Sequence, residues 1–368
     1  MLDSKPLARY AAEHWIDHAK SGGMDSSVLQ LILHLFRSES APFKNWIQIH
    51  DIEIPWYYVS KTNLGRNDFG SPLYYSTLAG MEEASDFLLQ IENVNAKGGK
   101  FGNALQAASY EGNEAIMKQL LEKGAEVNAE GGKFGNALQA ASFMNNEAIV
   151  KLLLENGAEV NAEGGKYGNA LQAASYKGNE AIVKLLLENG AEVNAEGGEY
   201  GNALQAASYE GNDTTVKLLL ENGAEVNAEG GFFGNALQAA AYGGNETIVK
   251  LLLKNGAEVK ADGGCYGNAL QAASYRGDEA IVKLLLENGA DVKTDGGLYG
   301  NSLQAASYRG NEAIVKLLLE NGAEVNLEGG LYGNALNAAS FRGNGTIVEL
   351  LIENGAEMNA KEEGKENY

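Results

Sequence analysis

His14 and His18 stand four residues apart, a spacing that puts two imidazoles on one helix face as zinc-binding helices do. The intervening Trp15, Ile16 and Asp17 supply no glutamate after the first histidine, and no third ligand stands at a telling distance. Packed or surface histidines are therefore expected, and no metal. Cys265 is the single cysteine, with no His or Asp partner at a meaningful spacing, so an exposed, non-catalytic thiol is expected. The turns Gly-Gly-Lys-Phe-Gly and Gly-Gly-Lys-Tyr-Gly invite comparison with phosphate loops, in which glycine backbone cradles an anion. They lack the Gly-x-x-x-x-Gly-Lys-Ser/Thr spacing, and the lysine is replaced in five of the eight full copies of the turn. No catalytic constellation and no cofactor site emerge, so the chain is expected not to be an enzyme.

Those turns belong to a larger regularity. Gly-Asn pairs recur at Asn103, Asn136, Asn169, Asn202, Asn235, Asn268 and Asn334, with Asn301 in step before Ser302, at a constant spacing of 33 residues. Periods of this size signal stacked supersecondary units. Within one unit, Asn169 is placed to cap a short helix over 170–176, and Gly178-Asn179 breaks it. A second helix is predicted over 180–188, with Glu180 in its first turn and Ile182, Val183, Leu185, Leu186 and Leu187 making a broad apolar face. Gly190 ends it, Val193 anchors a strand-like arm, and a glycine-rich turn leads to the next copy. Alanines (Ala170, Ala173, Ala174) face neighbours from the first helix and leucines from the second, so first helices approach more closely and line the concave side. One unit buries too little to offset its ordering entropy, and stability must come from stacking.

The unit resembles the ankyrin repeat. "NALQAA" stands where that family's first helix begins, "IVKLLLENGAEVN" (182–194) matches the second half, and a degenerate first copy, 70–96, carries Ser71-Pro72-Leu73-Tyr74. The resemblance covers about 66–361 and implies an all-α ankyrin solenoid of about nine repeats that binds protein and has no enzymatic activity of its own. Three departures stand out: Asn for Thr at the cap, Ala for Pro, and Gln for His. The glycine-rich Asn-Ala-Leu-Gln subtype, with "PLARYAAEHWIDHAK" (6–20) ahead of it, also looks like the C-terminal arrays of fungal NACHT-type NTPase receptors, which are similar in role to NOD-like receptors. That second resemblance implies a recognition arm whose NTPase module is missing from these residues.

Composition divides the chain. All four prolines, all four histidines and all three tryptophans precede residue 73. The expected organisation is a helical N-terminal segment, 1–65, capping the array; the array itself, 66–361; and a polar tail, 362–368. Helices are expected around Leu7, Tyr10, Ala11 and Trp15 and after Asp25 or Ser26. The net charge of −21 disfavours nucleic acid, and no apolar run is long enough to span a bilayer. A lone cysteine and no secretory leader make an intracellular, cytoplasmic location the expectation, with the nucleus also open. The last copy keeps Ile347, Val348, Leu350, Leu351 and Ile352, where a terminal repeat should turn polar. The tail folding over that face, self-association through it, and a longer natural array all remain open.

Two columns vary between copies. After the double glycine the residues run Lys100, Lys133, Lys166, Glu199, Phe232, Cys265, Leu298, Leu331; after the helix-end aromatic they run Glu111, Met144, Lys177, Glu210, Gly243, Arg276, Arg309, Arg342. Exposed positions elsewhere stay fixed, as at Lys151, Lys184 and Lys217 or Glu159, Glu192 and Glu225. Confinement of change to two columns predicts a protein-binding surface on the concave side, suited to an acidic, partly apolar protein partner. A structural spacer, or a receptor fragment without independent activity, remains the alternative. The aromatic columns, such as Phe101, Tyr167 and Tyr110, are nearly constant and are expected to pack turn against helix rather than stack a ligand.

Overall fold

The computed structural model describes residues 14–17, 26–36, 46 and 69–357. The helix expected around Leu7, Tyr10 and Ala11, together with His18 and the polar tail 362–368, lies outside them. Nine helix pairs occur among the described residues, from Pro72–Leu78 with Glu82–Leu88 to Ala335–Phe341 with Gly345–Glu353, and no extended strand is present among those residues. The chain forms two compact units, Met1–Ala170 and Leu171–Tyr368. Their boundary falls in the first turn of the helix Ala170–Lys177.

Each pair follows from its sequence. Asn202, Asn235 and Asn268 hold extended backbone, and each side chain accepts from the amide three residues on, completing a capping box with Gln205, Gln238 and Gln271. The first helix then runs one residue beyond the expected end, to Glu210 or Arg276, before a left-handed Gly211 or Gly277. In the third copy that left-handed position is Asn145 (φ 62°), the single non-glycine residue with positive φ among the described residues. Asparagine is the residue after glycine that tolerates such backbone. The second helix spans Glu180–Glu188 as predicted, burying Ile182, Val183 and Leu186. The expected strand-like arm at Val193 is instead a turn closed by Ala195 N to Glu192 O at 3.1 Å, because only a Gly197–Gly201 bridge pairs beyond it.

In both units first helices pack on one another more extensively than second helices do. Ala203, Ala206 and Ala207 are essentially inaccessible, as are Val216 and Leu219 on the facing side of the second helix. Small side chains permit the closer approach, which sets the first helices on the concave side of each unit. In the first unit the helix Ser26–Leu35 packs on Glu82–Leu88, with Ile32, Leu33 and Phe36 buried. Trp15, Phe36, Trp46 and Tyr75 meet edge to face beside it, with centroids 5.5 to 6.2 Å apart.

Polar side chains also join repeats. Gln238 Nε2 donates to Ala261 O (3.1 Å) and Gly267 O (3.0 Å) in the next turn, and Gln205 does the same to Ala228 and Gly234. A second clamp uses the asparagine that closes each copy: Asn227 Nδ2 donates to Gly256 O at 3.0 Å, and Glu258 N donates to Asn227 Oδ1 at 2.9 Å. The same two-way clamp recurs at Asn95, Asn128, Asn194 and Asn326. Lys260 and Lys293 take that position in two copies, and Lys293 forms an exposed ion pair with Glu324 at 3.0 Å instead. Neutral hydrogen bonds contribute about 1 kcal/mol each, against well under 1 for an exposed ion pair, and the asparagine clamp, though exposed, makes two at once. Lys260→Asn is expected to raise the midpoint of thermal unfolding by restoring bonds to Gly289 and Asp291, whereas Asn227→Ala is expected to lower stability by about 1 to 3 kcal/mol. Differential scanning calorimetry of the two variants checks both directions.

Candidate functional site

The variable turn residue is fixed by its backbone, whatever its side chain. In the second unit Phe232 N donates to Glu199 O, Cys265 N to Phe232 O, Leu298 N to Cys265 O and Leu331 N to Leu298 O, at 2.8 to 3.0 Å. In the first unit Lys133 N donates to Lys100 O and Lys166 N to Lys133 O. Main-chain bonds thus carry the column from one repeat to the next, whatever residue stands there. The glycines make this possible. A Cβ on Gly264 would sit 2.2 Å from the Phe233 carbonyl carbon at φ +62°, and one on Gly267 would sit 1.8 Å from Gln271 Oε1.

Beside each tip the aromatic residue inserts between helix-end aromatics. In the second unit the rings alternate Tyr242, Tyr266, Tyr275, Tyr299, Tyr308, Tyr332 with neighbouring centroids 4.5 to 5.2 Å apart. Rings of one column are 6.0 to 6.5 Å apart, as for Tyr242–Tyr275 and Tyr308–Phe341. This is the turn-to-helix packing expected of near-constant columns. Hydroxyl pairs tie the zig-zag together: Tyr266 to Tyr242, Tyr299 to Tyr275, and Tyr332 to Tyr308. Burial first, and these hydrogen bonds second, push the Tyr266 and Tyr299 phenols well above their ordinary value near 10. Burial likewise pushes Tyr200 up to about 12.

The candidate residues divide by environment. Phe232 (44 %), Leu298 (40 %) and Leu331 (64 %) are large apolar side chains left substantially open. Lys133, Lys166 and Glu199 are exposed at their tips, and Lys100 is half-buried. Glu111, Met144, Lys177, Glu210, Arg276, Arg309 and Arg342 are exposed at helix ends, with Gly243 half-buried among them. Two findings correct the sequence expectation. Cys265 is half-buried rather than exposed, and burial raises its thiol above the usual range, which depletes the nucleophilic thiolate. Arg309 and Arg342 lie over the rings of Tyr275 (5.1 Å) and Tyr308 (4.9 Å), so they brace the aromatic column as well as facing solvent. Glu210 also has a packing role, accepting from the Tyr176 hydroxyl.

The constant lysine column has a local cause. Lys118, Lys151, Lys250, Lys283 and Lys316 pair with Glu114, Glu147, Glu246, Glu279 and Glu312 one turn earlier on their own helices. Helical pairs of that order contribute about 0.3 to 0.5 kcal/mol each, a reason for constancy that the variable columns lack. The Gln and Asn clamps cannot be placed from single repeats, because their partners lie 23 to 31 residues away. The signal of the glutamine clamp in the sequence is the Gln of Asn-Ala-Leu-Gln, replaced only in the last full copy, by Asn337.

Residues 80–164, 137–230, 203–296 and 295–362 match the family described as ankyrin repeats (3 copies). The chain belongs to the ankyrin-repeat family. Ankyrin repeats are characteristically protein-interaction scaffolds without enzymatic activity. The human ASB11 ankyrin repeat domain, a crystal structure, aligns over 60 % of this chain and 99 % of its own length at 29 % identity and a TM-score of 0.52. The azaphilone pigments biosynthesis cluster protein L of Monascus ruber is 35 % identical over 134 residues, which are 33 % of this ankyrin chain and 28 % of that protein. The chain thus spans little more than a quarter of that relative. No described helix is long and apolar enough to cross a membrane, and no described cluster of three His, Cys, Asp or Glu could hold a metal.

The tyrosine column makes stability fall at high pH. Below pH about 10 the Tyr200, Tyr266 and Tyr299 phenols are protonated in both states; above it the unfolded chain loses these protons first, so the folded state binds more protons and loses stability as pH rises toward the raised native values. Part of the phenolate absorbance should therefore appear late, with Tyr200 near 12, and that late part should accompany the loss of helical circular dichroism. Complete phenolate absorbance near pH 10 with the helices intact would contradict the buried, hydrogen-bonded zig-zag.

Proposed function

We propose that this ankyrin array binds a protein partner through its two variable columns, the turn tips and the helix ends of the concave side. The observation that supports the reading most is the division of labour at the tips. The main chain at 232, 265, 298 and 331 is bonded repeat to repeat, and only the side chain changes, from Phe to Cys to Leu. In the second unit, open apolar tips stand in the same repeats as arginines, Leu298 with Arg309 and Leu331 with Arg342, and the half-buried Cys265 stands with Arg276. An acidic segment carrying apolar side chains fits that pairing, since apolar contact supplies affinity and charge supplies orientation and on-rate. The first unit offers lysines at its tips, Lys100, Lys133 and Lys166, with Glu111 and Met144 at its helix ends.

The role as recognition arm of a fungal NACHT-type receptor belongs to this proposal and rests on the Asn-Ala-Leu-Gln subtype and on residues 6–20. The helical segment ahead of the array is proposed to cap it, supported by the packing of Ser26–Leu35 on Glu82–Leu88. At the other end of the described chain Phe341 (69 %) and Ile352 (49 %) are exposed, which favours self-association there; sedimentation equilibrium of a Phe341→Ser, Ile352→Ser variant, compared with the parent, reads it.

Reversing Arg276, Arg309 and Arg342 to Glu is expected to abolish retention of a partner from cell extract while lowering stability modestly, by about 0.5 to 1 kcal/mol for each arginine that loses its tyrosine. Making the two columns uniform, by copying one repeat into all, should have the same effect on retention. Identical sets of retained proteins from parent and variants would leave the array a spacer.

A further inference from the structure

Neighbouring helix pairs of the second unit are fastened along two edges. On the turn edge Cys265 N donates to Phe232 O at 2.8 Å and Gln238 Nε2 to Gly267 O at 3.0 Å. On the other edge, at the loops and the feet of the second helices, the fasteners are asparagines. Asn245 Nδ2 donates to Ser208 O (2.9 Å) and Tyr209 O (3.0 Å), beside the clamp that Asn227 makes on Gly256 and Glu258. At the next joint, between Glu246–Lys254 and Glu279–Glu287, both asparagines are replaced, by Asp278 and Lys260. A carboxylate has no hydrogen to donate to the Ala241 and Tyr242 carbonyls, and an ammonium cannot accept from the Asp291 amide. Among the described residues no side-chain hydrogen bond or ion pair spans this edge of that joint. The joints beyond it regain such bonds, from Asn311 Nδ2 to Gly277 O with the Lys293–Glu324 pair, then from Asn344 Nδ2 to Ser307 O with the Asn326 clamp. The spacing records the loss. A Cβ on the glycine between the two helices would lie 2.4 Å from Asn212 Oδ1 at Gly178, 2.6 Å from Asn245 Oδ1 at Gly211 and 3.2 Å from Asn311 Nδ2 at Gly277. At Gly244 it would lie 3.6 Å from Asp278 Oδ2.

We infer that this joint is a hinge, held along the turns and free to part at the loops and second helices, about which residues 269–357 move as one body. The second helices on either side still bury Ile248, Leu252, Ile281 and Leu285. Apolar contact is non-directional, however, and the hydrogen bonds that set the angle between neighbouring pairs elsewhere are missing here. Each repeat touches only its neighbours, so slack at one joint displaces everything beyond it together. Its position matters for the concave surface. Arg276, Arg309 and Arg342 all lie in the moving body, whereas Phe232, Glu210 and Gly243 lie on the other side of the joint. Parting therefore changes the separation between the Phe232 tip and the arginines, which lets one array close on partners of different width. The inference goes beyond the protein-binding role and does not depend on it.

The test measures distances between nitroxide labels by pulsed electron double resonance, in the full chain with Cys265→Ser. One pair of labels, on Glu221→Cys and Glu287→Cys, stands astride the joint; a reference pair, on Glu188→Cys and Lys254→Cys, is likewise two repeats apart on the near side, and all four positions are exposed. The pair astride the joint is expected to give the broader distance distribution. Adding Lys260→Asn and Asp278→Asn supplies the two missing fasteners and should narrow that distribution to the width of the reference pair, with the reference pair itself unchanged. Lys293→Asn, one joint further on, should leave the breadth as it was. Equal widths for the two pairs in the parent, or a distribution that stays broad after both asparagines are restored, would each overturn the inference. Narrowing by Lys293→Asn alone would place the slack at another joint and overturn it too. The distances are read without a partner present, so a failure of the arginine variants to alter partner capture would remove the binding role and leave the hinge standing.

Discussion

At Gly264 the backbone of one turn passes so near the Phe233 carbonyl of the preceding turn that an added Cβ would lie 2.2 Å from its carbon. The approach is what brings Cys265 N within 2.8 Å of Phe232 O and lets Gln238 reach Gly267 O at 3.0 Å. It also slides each turn aromatic between two helix-end rings. A residue with a side chain at this position would separate the turns, and the main-chain ladder, the glutamine clamp and the ring zig-zag would open together. The repeated double glycine is thus the condition on which contact between neighbours is built, and contact between neighbours is where a repeat array holds its stability.

Because the main chain does the joining, the tip residue is released from structural duty in a way few exposed positions are. Lysines on the second helices are exposed too, yet Lys151 and Lys283 complete ion pairs with Glu147 and Glu279 and have a local reason to persist. Phe232, Cys265, Leu298 and Leu331 share one backbone conformation and one hydrogen-bond pattern while differing in size, polarity and chemistry. Their side chains are therefore open to whatever selection acts on the outside of the molecule. The helix-end column is less free, since Arg309 and Arg342 rest on tyrosines and Glu210 accepts from Tyr176.

Much of this was legible in the residues alone. The 33-residue period, the Asn cap, the second helix at Glu180–Glu188 and its buried Ile182, Val183 and Leu186 all follow from local propensity and apolar periodicity. What escaped was non-local. The carboxamides of Gln238 and Asn227 find acceptors in the following repeat, and no pattern within one copy says where those acceptors will lie. Cys265 was misjudged for a related reason. A variable turn column reads as exposed, but the main-chain ladder draws Cys265 N to within 2.8 Å of Phe232 O in the preceding turn, and the thiol is half-buried. The arm after Val193 was taken as strand-like, yet with a partner only across Gly197 and Gly201 it closes as a turn.

The rings give the cations their order. A lysine or arginine on an exposed turn ordinarily samples many rotamers, and holding it in place costs entropy that a surface contact rarely returns. Here the ring faces lie parallel, 11° apart for Phe101 and Phe134 and 13° for Tyr275 and Tyr308, and they offer each charge a quadrupole to rest upon. The stack inherits its spacing from the turns that glycine allows to meet, so the contact that joins neighbouring repeats also orders the cations that rest on it.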